Sequence, residues 1–381
     1  MVNAVLAPTL VAEFGLSASG LGLLSSVYFL SFAVCQLPVG VAMDRFGPRR
    51  VNAALLLVAA AGGAWFAQAE SAAGAIAARA LIGIGVSSCL MASFTAFVLW
   101  YPAERISTMT GVAFSAGAVG AMTATVPLEL LLRAWGWRDA FMLIVWVTLA
   151  LSLVFWFWVP DRSARRESEG FREILKGLGG LLRDPVFLRL AIPLGASQSA
   201  AVALQTLWAA TWLRDVVGWN PAEVARGLLA INVSMIVGYM AFGRAADAWQ
   251  RRGKSALPLL AAGVALSSLC LALIVLGARS LVLMCLFVGA GTGVVLAYTI
   301  LARRYPKAMA GRVNTAVNVL GFVGMFSGQW AIGMVLDLWP PTGSGINAGY
   351  AAEAYPWAFG MVWAVQLAGL AWLWSGRALL R

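Results

Sequence analysis

The sequence predicts an all-α protein that crosses a membrane many times and is built from two related halves. Three observations carry this. Hydrophobic residues make up 61% of the 381 and charged residues only 11%, against about 25% charged in a soluble domain. Apolar stretches of about twenty residues recur along the whole chain, each long enough as a helix to cross ~30 Å of hydrocarbon. A motif at the junction between two stretches also returns, degraded, 203 residues later at another such junction.

In chain order, complete spans are expected at about 18–42, 51–69, 73–100, 106–132, 139–159, 187–213, 221–246, 255–277, 280–302, 310–337 and 352–376. That makes eleven. The stretch from Met1 to Ala12 is too short to span. It reads as the second part of a first helix in a twelve-helix protein, with a misplaced start or a truncated gene as the expected cause. Eleven native spans is the alternative. A secretory leader is not expected, because this segment carries no basic residue ahead of its apolar run.

The net charge of +11 could suggest nucleic acid as a partner, but the basic residues sit in short connectors between spans. That placement reports membrane orientation. With the connector at Asp44 in the cytoplasm, basic residues favour the cytoplasmic side by about four to one. The carboxy terminus is then cytoplasmic in a cell membrane, the bacterial inner membrane being the expected one. The longest connector, 160–186, divides a bundle at 1–159 from a bundle at 187–381. Within it Phe171, Ile174, Leu175, Leu178, Leu181 and Leu182 recur at helical spacing among basic residues, which predicts an amphipathic helix on the cytoplasmic leaflet or a solvated basic linker. Cys35, Cys89, Cys270 and Cys285 fall inside apolar spans and there is no histidine, so neither a disulfide framework nor a metal site or other cofactor is expected.

The two halves are tested by offsets. Asp247 follows Asp44 by 203 residues, Gly289-Ala-Gly291 follows Gly83-Ile-Gly85 by 206, and Gly321-Phe-Val-Gly324 follows Gly117-Ala-Val-Gly120 by 204. Three landmarks in the same order agree within three residues. The first junction reads Gly40-Val-Ala-Met-Asp44-Arg45-Phe-Gly47-Pro-Arg49-Arg50, and the second Gly243-Arg244-Ala-Ala-Asp247-Ala-Trp-Gln-Arg251-Arg252-Gly253. The first resembles the loop signature of the major facilitator superfamily (MFS) of membrane transporters. The resemblance implies the MFS fold, two pseudo-symmetric six-helix bundles with the substrate path between them. It also implies a conformational latch. Asp44, with Arg45, Arg49 and Arg50 beside it, would meet a helix amino terminus of the other half, where the macrodipole favours negative charge. Arg244 and Asp247 would form a weaker counterpart.

Arg79 is the one basic residue well inside a span, ~10 Å from the helix start if that helix begins near Ala72. An ionisable group at such depth is costly and marks a functional site by default. Arg79 followed by Gly83 and Gly85 also resembles a second superfamily signature, which implies substrate binding or proton coupling; an arginine that snorkels outward or packs against a backbone carbonyl is the alternative. Polar and aromatic residues on other spans are further substrate-binding candidates: Tyr28, Gln198, Gln205, Trp208, Tyr298, and the pair Asn314 and Asn318, four apart on one helix face. Such residues also hold membrane helices together, so each has a structural reading beside the functional one.

The fifth span lacks the Gly-Pro-x-x-Gly-Gly pattern of proton-driven drug exporters, and the nitrate-carrier and sugar-porter signatures are absent too. No nucleophile, base and oxyanion set is present, and an enzyme is not expected. The expected function is secondary active transport by alternating access. The partners are a small solute, with an organic anion preferred because Arg79 is the fixed charge available, a coupling proton and the lipid bilayer, in a monomer. A sensor or scaffold that kept the transporter fold, or a truncated remnant, is the alternative.

Overall fold

The computed structural model describes all residues except 1, 102–108, 110–112, 114, 115, 118, 161–176, 178, 306–308, 344–348 and 377–381. The named helices are α1 (Val2–Phe14), α2 (Ala18–Phe46), α3 (Pro48–Ala67), α4 (Ala72–Val86), α5 (Cys89–Trp100), α6 (Val126–Trp135), α7 (Trp137–Trp158), α8 (Pro185–Ala203), α9 (Ala209–Asp215), α10 (Pro221–Arg251), α11 (Leu257–Val275), α12 (Leu281–Gly291), α13 (Leu296–Arg304), α14 (Ala310–Leu336) and α15 (Ala354–Ser375). A π turn at Leu204–Trp208 joins α8 to α9, and a 3-10 turn at Thr292–Val295 joins α12 to α13.

Among the described residues ten helices are long and apolar enough to cross a membrane, and α1 is a shorter apolar helix. They match the expected spans, apart from that at 106–132, part of which lies outside the described residues. The protein is an all-α, multi-pass membrane protein. Residues 161–176 and 178, most of the predicted amphipathic helix, lie outside the described residues. Of its apolar positions, Leu181 is buried and Leu182 exposed.

Helix boundaries follow from local chemistry. Gly47, the second glycine of the Asp44 motif, adopts φ +81° and hands the chain to Pro48 at the first position of α3. That left-handed backbone favours glycine, and proline suits the first helical turn, where its missing N–H is no loss. At the second junction the chain departs from expectation. Helix α10 runs on to Arg251, so Arg244 and Asp247 are helical, and the turn falls at Gly253, φ +69°. The start of α10 is closed by a reciprocal capping box between Asn220 and Glu223.

Residues group into two compact units, Met1–Ser26 with Leu178–Arg381, and Val27–Gly177. This partition follows packing, whereas the halves read from the repeat follow sequence kinship. In the Val27–Gly177 unit, α3 packs on α7 through the Ser152 hydroxyl donating to the Ala53 carbonyl at 2.8 Å, and through Phe66 against Trp137 and Phe141. Helix α4 lies on α2 and α3 so closely that only glycine fits. A Cβ on Gly83 would come within 2.1 Å of Ser31 Oγ and 2.5 Å of the Tyr28 carbonyl, and one on Gly85 within 2.2 Å of Ala59 N. In the other unit, Gly289 of α12 approaches the Ser234 carbonyl of α10 in the same way, at 3.0 Å from its would-be Cβ. Residue 83 meets residue 28 and residue 289 meets residue 234, so both partners advance by 206. The repeat is therefore a repeat of packing, seen inside each unit separately.

Candidate functional site

The Val27–Gly177 unit holds a charged candidate group, Arg79. Ser71 caps α4, its hydroxyl accepting from Gly74 N–H at 3.2 Å, and eight residues on Arg79 projects beside two rings. Its guanidinium carbon lies 5.8 Å from the centroid of Tyr28 and 5.6 Å from that of Phe66. Cation–π attraction of this kind holds a cation without neutralising it. Arg79 Nε is buried with no hydrogen-bond partner, and among the described residues no carboxylate forms an ion pair with Arg79. Glu129, the other ionisable residue near the end of a span here, pairs with Arg133 one turn along α6.

The other unit, taken by itself, has its own neutral polar groups. The Tyr298 hydroxyl donates to Asn318 Oδ1 at 2.9 Å, tying α13 to α14. Gln198 of α8 has a buried, unpartnered Oε1, and a Cβ on Gly321 of α14 would lie 3.6 Å from it. Gln198, Tyr298 and Asn318 are all half-buried. Asn314 sits in α14, but its side chain lies outside the described residues.

Two of the expected contacts are otherwise engaged. Gln205 is buried in the π turn, donating to Asn232 Oδ1 at 2.8 Å and touching Met235 Sδ. Trp208 is fully buried, with its indole N–H donating to the Gln329 carbonyl at 2.9 Å and its ring edge-on to Tyr350. Both belong to the packed interior of their unit.

The motif residues divide likewise. Arg49 donates to the Trp156 carbonyl at the end of α7, a cation placed on a helix carboxy terminus. Arg45, Arg244 and Asp247 are exposed, and Arg45 also stacks over Phe46. Arg50 is exposed and has a partner of its own. The side chain of Asp44 lies outside the described residues.

One cluster was not anticipated. Asp215, at the end of α9, accepts from Arg214 Nε at 2.6 Å, from Tyr350 N–H at 3.1 Å and from the Tyr355 hydroxyl at 2.7 Å. Burial pushes the Tyr350 phenol up, so it stays protonated. A second is Asp337, just past α14, whose two oxygens accept from the backbone N–H groups of Ala18 and Ser19 at 2.7 and 2.9 Å. The only signal in the sequence was a carboxylate at each span end, which says nothing about a partner over a hundred residues away.

Comparison with known proteins adds the family. The profile of the Major Facilitator Superfamily matches residues 1–329. The probable sulfoacetate transporter SauU of Cupriavidus necator is 26% identical over 267 residues, covering 68% of this chain and 56% of the relative. The gallate transporter of Pseudomonas putida is 25% identical over 318 residues, covering 76% of this chain and 69% of the relative. The match thus spans little more than half of the sulfoacetate relative's length. A bacterial homologue of the human lysosomal transporter Spinster, solved inward-facing and occupied, has the same fold at a TM-score of 0.79 with 16% identity, covering 99% of this chain and 92% of that one. A D-xylose–proton symporter matches at a TM-score of 0.71 and 16% identity, covering 98% of this chain and 92% of that one. With the repeat, the helices and a family match over most of its length in agreement, this chain belongs to the Major Facilitator Superfamily.

Proposed function

We propose that the protein is a secondary active carrier of a small organic anion, working by alternating access between a bundle at 1–159 and a bundle at 187–381 joined by the linker 160–186. The observation that carries the reading is Arg79: a guanidinium set among aromatic rings, with a buried unpartnered Nε and no carboxylate to neutralise it among the described residues. A cation in that state is costly to keep inside a membrane protein unless something negative comes to it. Arg79 pairs with the anion, and Tyr28 and Phe66 orient the guanidinium. Relatives named for sulfoacetate, galacturonate, 4-hydroxybenzoate, cis,cis-muconate and gallate transport support the substrate class.

Moving one negative charge into an inside-negative compartment costs about 2.3 kcal/mol per 100 mV. A co-transported proton, which we assign as the coupling ion, offsets that charge. The excess of basic residues on one side supports a carboxy terminus and an Asp44 connector that face the cytoplasm, in a bacterial inner membrane. The test is uptake into proteoliposomes of a panel of small carboxylates and sulfonates, with neutral sugars as controls, at imposed proton gradients. Uptake of an acid that collapses with a protonophore supports the reading; transport of the neutral sugars alone would overturn it.

A further inference from the structure

Helices α2 and α14 meet along one register. Gln329 and Gly333 of α14 and Asp337 just past its end are spaced by four and follow one face. A Cβ on Gly22 of α2 would lie 2.9 Å from the Gln329 carbonyl, and one on Gly333 would lie 2.4 Å from the Ala18 carbonyl. The two backbones are in direct contact, and Asp337 completes the row by accepting from the N–H groups of Ala18 and Ser19. Four amide protons at a helix start have no partner within the helix. Here Ser17 serves Gly20 locally, with its hydroxyl 3.1 Å from that N–H, and two others depend on a carboxylate more than three hundred residues away. The start of α10, the counterpart of α2 in the repeat, is closed by its own Asn220 and Glu223. The residue 204 before Asp337 is Arg133, which has no acceptor to offer. The dependence is therefore built into one helix pair and not into its repeat mate.

We propose that Asp337 is a gate latch. It holds the end of α2 that begins at Ala18 closed on α14, and it must release both N–H groups before that side of the carrier opens. On the topology proposed above this is the outer side, so α2 carries a latch aspartate's partner at its outer start and the Asp44 motif at its inner end. The glycines let the helices touch, and the carboxylate makes the touching favourable through two charge-assisted hydrogen bonds and the helix dipole.

The experiment uses Ser26→Cys as a reporter. Ser26 is fully buried one turn beyond Gly22, beneath the latch. In the full chain with the four native cysteines replaced, labelling of this cysteine by a membrane-impermeant maleimide is timed in right-side-out and in inverted vesicles. Asp337→Ala should speed labelling from outside by about tenfold or more, as expected for losing two hydrogen bonds to a charged acceptor, and Asp337→Glu should return it toward the parental rate. If Asp337→Ala does not accumulate, Asp337→Asn takes its place and should label at an intermediate rate, since its amide keeps one acceptor oxygen. Rates unchanged by these substitutions in both vesicle orientations overturn the latch. Acceleration in inverted vesicles alone keeps the latch and overturns the assigned sidedness, so the two failures are distinct.

Discussion

Arg79 and Arg214 are both arginines set into the helices of a membrane protein, and their surroundings are opposites. Arg214 makes two hydrogen bonds to the adjacent Asp215, whose remaining capacity is filled by Tyr350 and Tyr355. Its charge is balanced inside the protein, and the cluster fastens the end of α9 to the segment leading into α15. Arg79 has rings beside it and no carboxylate among the described residues. A balanced ion pair is architecture, because either partner alone would be an uncompensated buried charge. A cation left unbalanced is available to a ligand. The contrast separates two residues of identical chemistry by what the fold places next to them.

The comparison breaks first on transport. Arg79→Ala should lower uptake of an anionic substrate by about a hundredfold, the scale of removing one partner from a desolvated charge pair, while leaving the thermal midpoint of the purified protein unchanged or raised. Full uptake in that variant would remove the argument for an anion. Arg214→Ala should do the reverse, costing about 3 kcal/mol of stability by stranding Asp215. The double variant Arg214→Ala/Asp215→Ala should recover part of that loss in the same melting experiment. Gly83→Ala comes next: its methyl would press on Ser31 and the Tyr28 carbonyl, costing about 1–3 kcal/mol and moving Arg79 away from Tyr28, so it should weaken both melting temperature and uptake. The smallest effect is expected at Tyr28. Replacing its ring with alanine removes a cation–π contact worth about 1 kcal/mol, a severalfold rise in KM, whereas Tyr28→Phe keeps the ring and should transport nearly as the parent does.

Much of this architecture was legible residue by residue. Arg79 stood out because a basic residue ten ångströms into an apolar run has few uses, and Gly83 and Gly289 stood out because glycine at a matching offset implies matching close contacts. Gln205 and Trp208, which carried a structural reading beside the functional one, lie in the π turn at Leu204–Trp208 and bond to Asn232 and to the Gln329 carbonyl. Arg49 had a motif role expected of it and is found bonded to the end of α7. Asp215 and Asp337 could not have been assigned, since a carboxylate at a span end looks the same whether it faces solvent or caps a distant helix.

The sequence alone determined the membrane class, the order and length of the spans, the twofold repeat and the one exceptional charge. Those properties depend on apolar run length, on spacing along a single chain and on the cost of ions in hydrocarbon, all of which are local. Only the tertiary structure decided which polar groups are already engaged with one another. Partners such as Ala18 and Asp337, or Arg49 and Trp156, are brought together by the packing of helices far apart in the chain, and no local pattern encodes that.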